Sequence, residues 1–325
     1  MHGAASNFVD DPLGPSYPPG NSAPMTANPC DACDGTRFRL IYADHPVLDG
    51  PLVSCETCGL VQVNPPRRRY QIADDATRET RTAAYAQQAA TVRATLQYRP
   101  DLEEAERAVR DRFWRERLAR IERVAARGRL LEIGSDGQFL RLAAASGWSV
   151  TGLQPDAATC ADAAARFGLE LQPVTLGEAA FPDASFDVVT LFHVIEHVPS
   201  PRALCREVLR VLRPGGALFA ETPNVDTLWF RVLGPRWRQL IPDHYWFFSP
   251  TTLCGMLTRV GYAVDRVERV GKAVSVRLLA NRLERIARMR LPLLSKSLAW
   301  LGLNDRVVWI NPGDIVLATA RRPPH

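Results

Sequence analysis

The stretch RLLEIGSDGQFLRLAAASGWSVTGLQPD, residues 129–156, decides how this chain folds. An apolar run, a turn from Gly134 to Gly137, an amphipathic run and a second apolar run are typical of strand, tight turn, helix and strand. Glycines at both ends of the turn let the backbone bend sharply and approach a ligand that a Cβ would block. The stretch therefore predicts the front end of a nucleotide-binding α/β domain.

The same alternation of strands and helices continues toward the C-terminus, and no internal repeat accompanies it. Such alternation predicts a parallel, doubly wound sheet that binds its ligands beyond the carboxyl ends of the strands. The final run DIVLATARR predicts a closing strand. The predicted strands are 129–133, 149–153, 186–192, 216–222 and 262–270, and the predicted helices are 138–147, 157–167, 201–212 and 249–260.

Composition places the chain among ordinary globular proteins. Its 325 residues suffice for one α/β domain and one or two smaller pieces, with 46% hydrophobic residues and a net charge of +5. Of the 40 basic residues only Lys272 and Lys296 are lysines, and forked Arg donors suit phosphate or carboxylate groups, although a GC-rich genome explains the bias equally well. No apolar run reaches the length of a membrane span, and residues 1–28 read as a disordered tail without signal-peptide features, so we expect a cytoplasmic protein.

Four cysteines form two CxxC pairs, and the gap between the pairs holds two strand-like runs, FRLIY and PLVSC. A hairpin over this gap would bring the pairs together as four soft ligands, the set that tetrahedral zinc prefers. A redox dithiol or an iron–sulfur site fits the two-plus-two pattern less well. The sequence predicts a structural zinc ribbon over residues 29–66, with no open coordination position for catalysis and with the ligands Cys30, Cys33, Cys55 and Cys58.

Two further segments flank the core. Residues 67–127 predict a helical connector or lid, in which Leu118, Ile121 and Val124 lie on one side of a helix. Residues 272–303 are rich in apolar and basic side chains and predict a basic amphipathic insertion in the C-terminal domain, 128–325. Its arginines (Arg277, Arg282, Arg285, Arg288 and Arg290) alternate with apolar residues. It predicts either a lid packed on the core or a peripheral contact with a membrane surface or a phosphate-bearing ligand.

The ordered series FDVV…HVIEHV…LRPGG, after the first stretch and before LFAETPN, resembles class I S-adenosylmethionine-dependent methyltransferases over about 200 residues. Within that class, the sequence resembles the methyltransferase families called type 11 and type 23. DHYWFFSPTTLCGMLTRVGY and the N-terminal cysteine ribbon are similar to bacterial sugar and natural-product methyltransferases. The resemblance implies a Rossmann-like, doubly wound, seven-stranded sheet and an enzyme that uses S-adenosylmethionine as cofactor. A nicotinamide site is disfavoured because G-x-G-x-x-G is absent.

The resemblance also implies where the cofactor binds, with two departures from the family pattern. The turn GSDG is one residue shorter than the usual loop, and Gln154 stands where relatives place an acidic residue that holds the ribose hydroxyls. Gln154 is a weaker, neutral partner, and Asp156 could replace it if the strand ends later. The cofactor residues implied are Glu132, Gly134, Ser135, Asp136, Gly137, Gln154, Pro155, Asp156, Phe192 and His193.

Candidates for the chemistry are three histidines of the core and one glutamate. His193, Glu196 and His197 would share one face if HVIEHV turns helically, and His193 should face cofactor or acceptor. A similar box, ExxEH, is associated with a divalent metal in ubiquinone-pathway O-methyltransferases, but His193 replaces its first Glu. His197 could instead be a packing residue bonded to the backbone. His244 follows as base or orienting group in an aromatic loop, part of which should line the acceptor pocket: Trp237, Tyr245, Trp246, Phe247 and Phe248.

The preferred function is methylation, on oxygen or carbon, of a small-molecule or glycosyl acceptor that bears a sugar or a phosphate. One alternative is an rRNA methyltransferase, since some of those enzymes carry a zinc module. The ribbon is not notably basic and lacks interleaved aromatic residues, which disfavours a nucleic acid partner. The other alternative is a catalytically inactive methyltransferase-fold binding protein, suggested by Gln154 and the short turn. The sequence does not give the oligomeric state.

Overall fold

The structure is a computed structural model that describes residues 27–66, 107–280, 303 and 306–324. The predicted tail, most of the connector and most of the basic insertion lie outside the described residues, so those predictions stay predictions. None of the described helices has the length and apolarity needed to span a bilayer. In chain order the strands are β1 (Phe38–Tyr42), β2 (Leu52–Cys55), β3 (Val61–Val63), β4 (Arg129–Ile133), β5 (Ser149–Leu153), β6 (Phe186–Phe192), β7 (Leu212–Pro223), β8 (Trp246–Phe247), β9 (Ala263–Arg269), β10 (Lys272–Ser275), β11 (Val307–Ile310) and β12 (Ile315–Arg321).

The helices complete the α/β pattern. They are α1 (Arg107–Glu122), α2 (Gln138–Ala145), α3 (Ala157–Phe167), α4 (Leu176–Ala179), α5 (Pro201–Val211), α6 (Leu228–Leu233) and α7 (Pro250–Val260), with a 3-10 turn at Gly234–Arg236. Each helix predicted in the core domain is present within two residues of its expected ends. Ser and Thr side chains or an Asp cap several of their N-termini, as helix-start signals in the sequence require.

The central sheet runs in the order β5-β4-β6-β7-β12-β9. The first four strands pair in parallel, whereas β12 is antiparallel to both of its neighbours, β7 and β9. The strands predicted at 129–133, 149–153 and 186–192 have the predicted bounds. This is the doubly wound sheet of the class I methyltransferase fold with its closing strand inserted near one edge.

The predicted seventh strand is reduced to a single bridge in the described residues. Leu153, the last residue of β5, forms an isolated parallel bridge with Gln172. The backbone N–H of Gln172 donates to the Gly152 carbonyl, and the backbone N–H of Gln154 donates to the Gln172 carbonyl. Pro173 follows directly and has no N–H to extend the ladder. The sheet therefore ends in one pair of hydrogen bonds where a full strand was expected.

Alternate residues of the central strands point to opposite faces of the sheet, as a pleated strand requires. Leu130 and Val188 pack in the cluster that α1 and α2 cover, whereas Leu131 and Val189 pack in the cluster that α5 and α7 cover. The second cluster also contains Cys30 and other residues of the N-terminal ribbon. The ribbon and the sheet therefore share one apolar core.

Helix α1 packs through part of its expected apolar stripe. Leu118 and Ile121 are buried, but Val124 lies beyond the end of the helix and is exposed, so its place on the stripe was wrong. The helix ends at Glu122, and the chain turns toward β4 before Val124 can reach the core. The most deeply buried long side chain of α1 is Arg117, at 1% exposure.

The ribbon forms a four-stranded antiparallel sheet in the order β1-β2-β3-β8. The runs FRLIY and PLVSC pair as the predicted hairpin. Its fourth strand comes from the aromatic loop, where Val61 pairs with Phe247 and Gln62 with Trp246. Trp237, Phe247 and Phe248 are consequently buried, so only part of the aromatic loop is left to line a pocket, as the sequence predicts. Tyr245 and Trp246 remain half-buried.

Polar contacts fix the ribbon on the start of α5. The Asp31 carboxylate accepts hydrogen bonds from the Ser200 hydroxyl at 2.6 Å and from the Arg202 backbone N–H at 2.8 Å. Asp34 forms a second, exposed ion pair with the Arg202 guanidinium. Because Asp31 is half-buried and lies at a helix N-terminus, its charge is stabilised by the helix dipole.

We expect Asp31→Asn to lower the free energy of unfolding by about 1–2 kcal/mol, because the amide keeps one acceptor and places a donor against an N–H group. Asp34→Asn removes the same charge from the exposed pair and serves as the matched control, with a smaller loss. Urea unfolding of the two variants and the wild type measures the difference. Equal losses for both variants would show that Asp31 is not a docking residue.

Candidate functional site

The turn after β4 is held by its own side chains. The Ser135 hydroxyl donates to the Glu132 carboxylate and accepts from the Gly137 backbone N–H at 3.0 Å. Asp136 accepts from the backbone N–H of Gln138 at 2.9 Å, at the start of α2. The shortened turn is therefore an ordered loop that leads into a helix N-terminus, the usual geometry of a phosphate- or nucleotide-binding turn.

The two glycines of this turn are required by conformation and by space. Gly134 has φ 74° and Gly137 has φ 84°, both in the left-handed region that other residues rarely adopt. A Cβ on Gly134 would lie 2.7 Å from Cγ2 of Val194, and one on Gly137 would lie 3.0 Å from the Phe167 ring. The turn is thus in direct contact with the segment that follows β6, and with α3.

The residues after β5 are engaged within the protein. The Gln154 side-chain N–H donates to the Ser135 carbonyl at 3.1 Å, and its Oε1 accepts from the Asp156 backbone N–H at 3.1 Å. The Asp156 carboxylate caps α3, accepting from the Thr159 N–H at 3.1 Å and from its hydroxyl at 2.6 Å. Pro155 is half-buried between them. Gln154 therefore ties the end of β5 to the turn, and Asp156 is a helix cap.

Glu132 and Phe192 lie at the carboxyl ends of adjacent strands, β4 and β6. Burial raises the pKa of Glu132 to about 8, although the Ser135 hydrogen bond opposes the shift. Phe192 packs edge-on against Phe139, with ring centroids 5.1 Å apart, and also against Trp114 of α1. A protonated Glu132 and an aromatic wall therefore border the turn.

A chain of buried charges crosses the edge of the sheet next to this turn. Nε of Arg117 donates to Oε2 of Glu221 at 2.5 Å, and its NH2 group donates to the Gly271 carbonyl at 2.9 Å. The other Glu221 oxygen lies 3.4 Å from Nε2 of His193. Arg117 and Glu221 are both fully buried, so each charge depends on its partners for compensation.

His193 sits between two carboxylates. Its Nδ1 lies 3.3 Å from Oε1 of Glu196 and its backbone adopts a positive φ of 56°. Burial acts to lower the pKa of His193, but the hydrogen bonds and charges of Glu196 and Glu221 prevail and raise it to about 10. Burial would also raise the pKa of Glu196, but its imidazole neighbours lower it to about 2. The pair is therefore an imidazolium and a carboxylate at neutral pH.

His197 and His244, the other two predicted catalytic histidines, lie next to each other beside Glu196. HVIEHV forms turns rather than a helix, yet Nε2 of His197 still lies 4.0 Å from Oε1 of Glu196. Nδ1 of His197 donates to the Asp243 carbonyl at 2.9 Å, and Nδ1 of His244 donates to the Gln239 carbonyl at 2.8 Å. The two imidazole rings pack edge to face at 4.7 Å.

Their surroundings give these two rings different charges. Burial opposes protonation of His197, but the Asp243 carboxylate 3.0 Å from its Nδ1 raises the pKa of His197 above the usual value. Burial and the neighbouring His197 lower the pKa of His244 to about 4, so His244 is neutral. The structure thus brings all four predicted catalytic side chains together.

Four partners of this group did not emerge from the sequence. Glu221 and Thr222 lie in β7, and the Thr222 hydroxyl donates to the Glu196 carboxylate at 3.0 Å. The sequence carries one signal for this pair, because Glu221 is a charged residue inside the apolar run LFAETPN. Arg117 left no such signal, because α1 is rich in arginines that reach solvent. Asp243 precedes His244 in the aromatic loop and could have been noticed there.

The four predicted metal-binding cysteines form one cluster. Sγ atoms lie 3.6 Å apart between Cys30 and Cys58 and between Cys33 and Cys55, and all four sulfurs lie within 4.8 Å of one another. Four thiolates bound to zinc at about 2.3 Å would be roughly 3.8 Å apart, and a disulfide would require about 2.05 Å. The cluster therefore has the spacing of a tetrahedral metal site.

Comparisons with known proteins show the family to which the chain is similar. A family described as "Methyltransferase domain" matches residues 105–267, about half of the chain. A probable S-adenosylmethionine-dependent methyltransferase of Mycolicibacterium smegmatis is 39% identical over 118 residues, which cover 36% of this chain and 44% of that protein. A ubiquinone biosynthesis O-methyltransferase of Aeromonas salmonicida is 33% identical over 151 residues, which cover 42% of this chain and 63% of that protein.

The chain thus spans about half the length of the curated relatives it matches. Among solved structures, a SAM-dependent methyltransferase from Archaeoglobus fulgidus is 20% identical with a TM-score of 0.46, covering 66% of this chain and 97% of that one. The family match includes the turn after β4, the HVIEHV segment and strand β7. The chain therefore belongs to the methyltransferase domain family, in the S-adenosylmethionine-dependent class that its sequence resembles.

Proposed function

We propose that the protein transfers a methyl group from S-adenosylmethionine to an oxygen or carbon atom of a small-molecule or glycosyl acceptor. The observation that carries this proposal is the contact between the turn at Gly134 and the segment at Val194. It joins a nucleotide-binding turn to the cluster of His193, Glu196, His197 and His244. Both lie at the carboxyl ends of neighbouring parallel strands, where ligands bind in such sheets.

The turn residues hold the cofactor in this proposal. Gly134 and Gly137 let the backbone approach the ligand, and Glu132 lies at the base of the turn, where a cationic amino group would lower its raised pKa. Phe139 and Phe192 exclude water on the side of α2. The cofactor supplies an electrophilic methyl group, and the protein supplies position and desolvation.

The histidine cluster prepares the acceptor. His193, held as an imidazolium by Glu196 and Glu221, is a hydrogen-bond donor rather than a base at neutral pH. His244 is neutral and its Nδ1 is already fixed by Gln239, so its Nε2 is the nitrogen that can accept a proton. An acceptor hydroxyl or an acidic C–H group would lose its proton to Nε2 of His244 as the methyl group is transferred.

For the cysteine cluster we propose a structural zinc ion. Four thiolates occupy all positions of a tetrahedral ion, so this metal folds the ribbon and takes no part in the chemistry. The ribbon supports the proposed site through β3 and β8, since the Val63 N–H donates to the Tyr245 carbonyl at 2.9 Å. Tyr245 in turn donates its N–H to the Glu196 carbonyl at 2.9 Å.

A second candidate is a methyltransferase-fold binding protein without catalysis. The hydrogen bonds of Gln154 and Asp156 within the protein favour it, because they compete with a ribose for the side chains that stand near the acidic position of relatives. Binding of the cofactor separates the two candidates, since the second predicts that neither S-adenosylmethionine nor its demethylated product binds.

We expect Gly134→Ala to weaken binding of S-adenosylhomocysteine at least about tenfold, because strain of about 1–2 kcal/mol and the contact with Val194 displace the turn. Gly168→Ala is the matched control, since Gly168 also has a positive φ of 65° but nothing within 4 Å of an added Cβ. Calorimetric titration measures both variants. Unchanged affinity in Gly134→Ala would contradict the assigned binding turn, and absence of binding to the wild type would favour the second candidate.

Cys58→Ser is expected to remove one equivalent of zinc per chain and to lower the thermal midpoint, because three thiolates hold the ion less tightly and the ribbon shares its core with the sheet. Elemental analysis after gel filtration gives the metal content. Cys254→Ser, at a cysteine outside the cluster, is the control and should keep the zinc. Equal zinc content in both variants would exclude the cluster as the zinc site.

A further inference from the structure

A second group of potential metal ligands lies within the histidine cluster and includes no cysteine. Glu196, His197 and His244 each offer one ligand atom, and these atoms all lie within 4.8 Å of one another. Glu196 is fully buried and His244 nearly so, whereas His197 is half-buried and keeps a side open. We propose that these three residues bind a divalent transition-metal ion at the edge of the candidate active site.

The two imidazoles are already oriented as metal ligands usually are. Nδ1 of His197 is fixed by the carbonyl and carboxylate of Asp243, and Nδ1 of His244 is fixed by the Gln239 carbonyl. Metal-binding histidines almost always donate one ring N–H to a carboxylate or a carbonyl and coordinate through the other nitrogen. Because Nδ1 of each ring is the donor, Nε2 is the nitrogen that can bind a metal ion in both histidines. Nε2 of His197 lies 4.0 Å from Oε1 of Glu196.

The spacing requires only a small closure. Ligand atoms bound to one ion at about 2.0–2.2 Å lie roughly 3–3.5 Å apart, whereas Nε2 of His197 and Oε1 of Glu196 are 4.0 Å apart. Small rotations of the two side chains, which bring the two ligand atoms closer by roughly a few tenths of an ångström to one ångström, close this difference. The three residues come from the segment after β6 and the loop before β8, which are tied together because the Tyr245 N–H donates to the Glu196 carbonyl at 2.9 Å.

The composition of the site indicates which metal it takes. Two imidazole nitrogens and one carboxylate oxygen suit the borderline first-row ions such as iron, cobalt, nickel or zinc, whereas magnesium and calcium prefer an all-oxygen set. Three protein ligands leave coordination positions open. This set differs from the ExxEH box, because His193 is bonded to Glu196 and Glu221 rather than facing the ion, and His244 of the aromatic loop supplies the third ligand.

An ion held here would have a use in the proposed reaction. It would bind the oxygen of an acceptor and favour loss of the acceptor's proton to water. With the ion bound, Nε2 of His244 would be a ligand and would no longer take that proton, and this role rests on the proposed methyl transfer. Binding of the ion does not depend on that role. The competing arrangement is a proton on His197 that holds Glu196 and Asp243 together, which would leave no place for a metal.

The experiment starts from the full-length protein with its cysteine cluster filled by zinc. Cobalt(II) is added, and the bound cobalt and zinc are counted by elemental analysis after equilibrium dialysis, with the visible spectrum recorded in parallel. We expect one bound cobalt per chain, no loss of zinc, and no thiolate-to-cobalt charge-transfer band. The missing band shows that the cobalt has not entered the cysteine cluster.

Variants then locate the ion. His244→Gln and Glu196→Gln should weaken cobalt binding by more than about tenfold, and Asp243→Asn by about 10–100-fold, as loss of an orienting partner does. His45→Gln is the matched control, because His45 is a buried histidine bonded to the Pro235 carbonyl at 2.8 Å and lies outside the cluster. Zinc content and circular dichroism report whether each variant is folded.

Two results would overturn the proposal. The first is a wild-type protein that keeps its zinc and binds no further cobalt at concentrations that saturate other sites with two histidines and one carboxylate. The second is an additional cobalt ion that persists in folded His244→Gln and Glu196→Gln. Either result would leave the cluster as a network held by protons alone.

Discussion

The buried carboxylate of Glu221 is the constraint on which the rest of the site depends. It has no exposure to water, and its charge is compensated by Arg117 from α1 and by His193 from the segment after β6. Removing one partner of such a buried pair costs about 3–5 kcal/mol, because a charge is left in a medium of low polarity. The requirement to compensate Glu221 therefore fixes α1, β6 and β7 relative to one another at the ligand edge of the sheet.

The same constraint extends to the N-terminal ribbon. His193 is shared with Glu196, whose carbonyl accepts from the aromatic loop, and that loop is the fourth strand of the ribbon sheet. The ribbon consequently supports the loop beside the candidate site, although it supplies none of the residues proposed for the chemistry. Its cysteine cluster would act on the site only through backbone hydrogen bonds and the shared apolar core.

The sequence predicts the sheet well because strand and helix periodicities are local: β4, β5 and β6 have the bounds expected from their apolar runs. It also brings His193, Glu196, His197 and His244 into one list, because they follow strands that end at the same edge. Other features depend on distant partners. The burial of Trp237 and Phe247 needs the ribbon as cover, and the burial of Arg117 needs Glu221. Nor could spacing show that the side chains of Gln154 and Asp156 form hydrogen bonds with neighbouring groups of the protein.

Hydrogen–deuterium exchange of the full-length protein with and without S-adenosylhomocysteine tests the central claim most directly, that one site joins the turn after β4, the segment after β6 and the loop that pairs with the ribbon. The account predicts slower exchange in peptides that cover residues 130–145, 190–200 and 240–248 together, because these elements share hydrogen bonds and buried charges. Protection that spares residues 130–145, or that appears only outside all three segments, would contradict it.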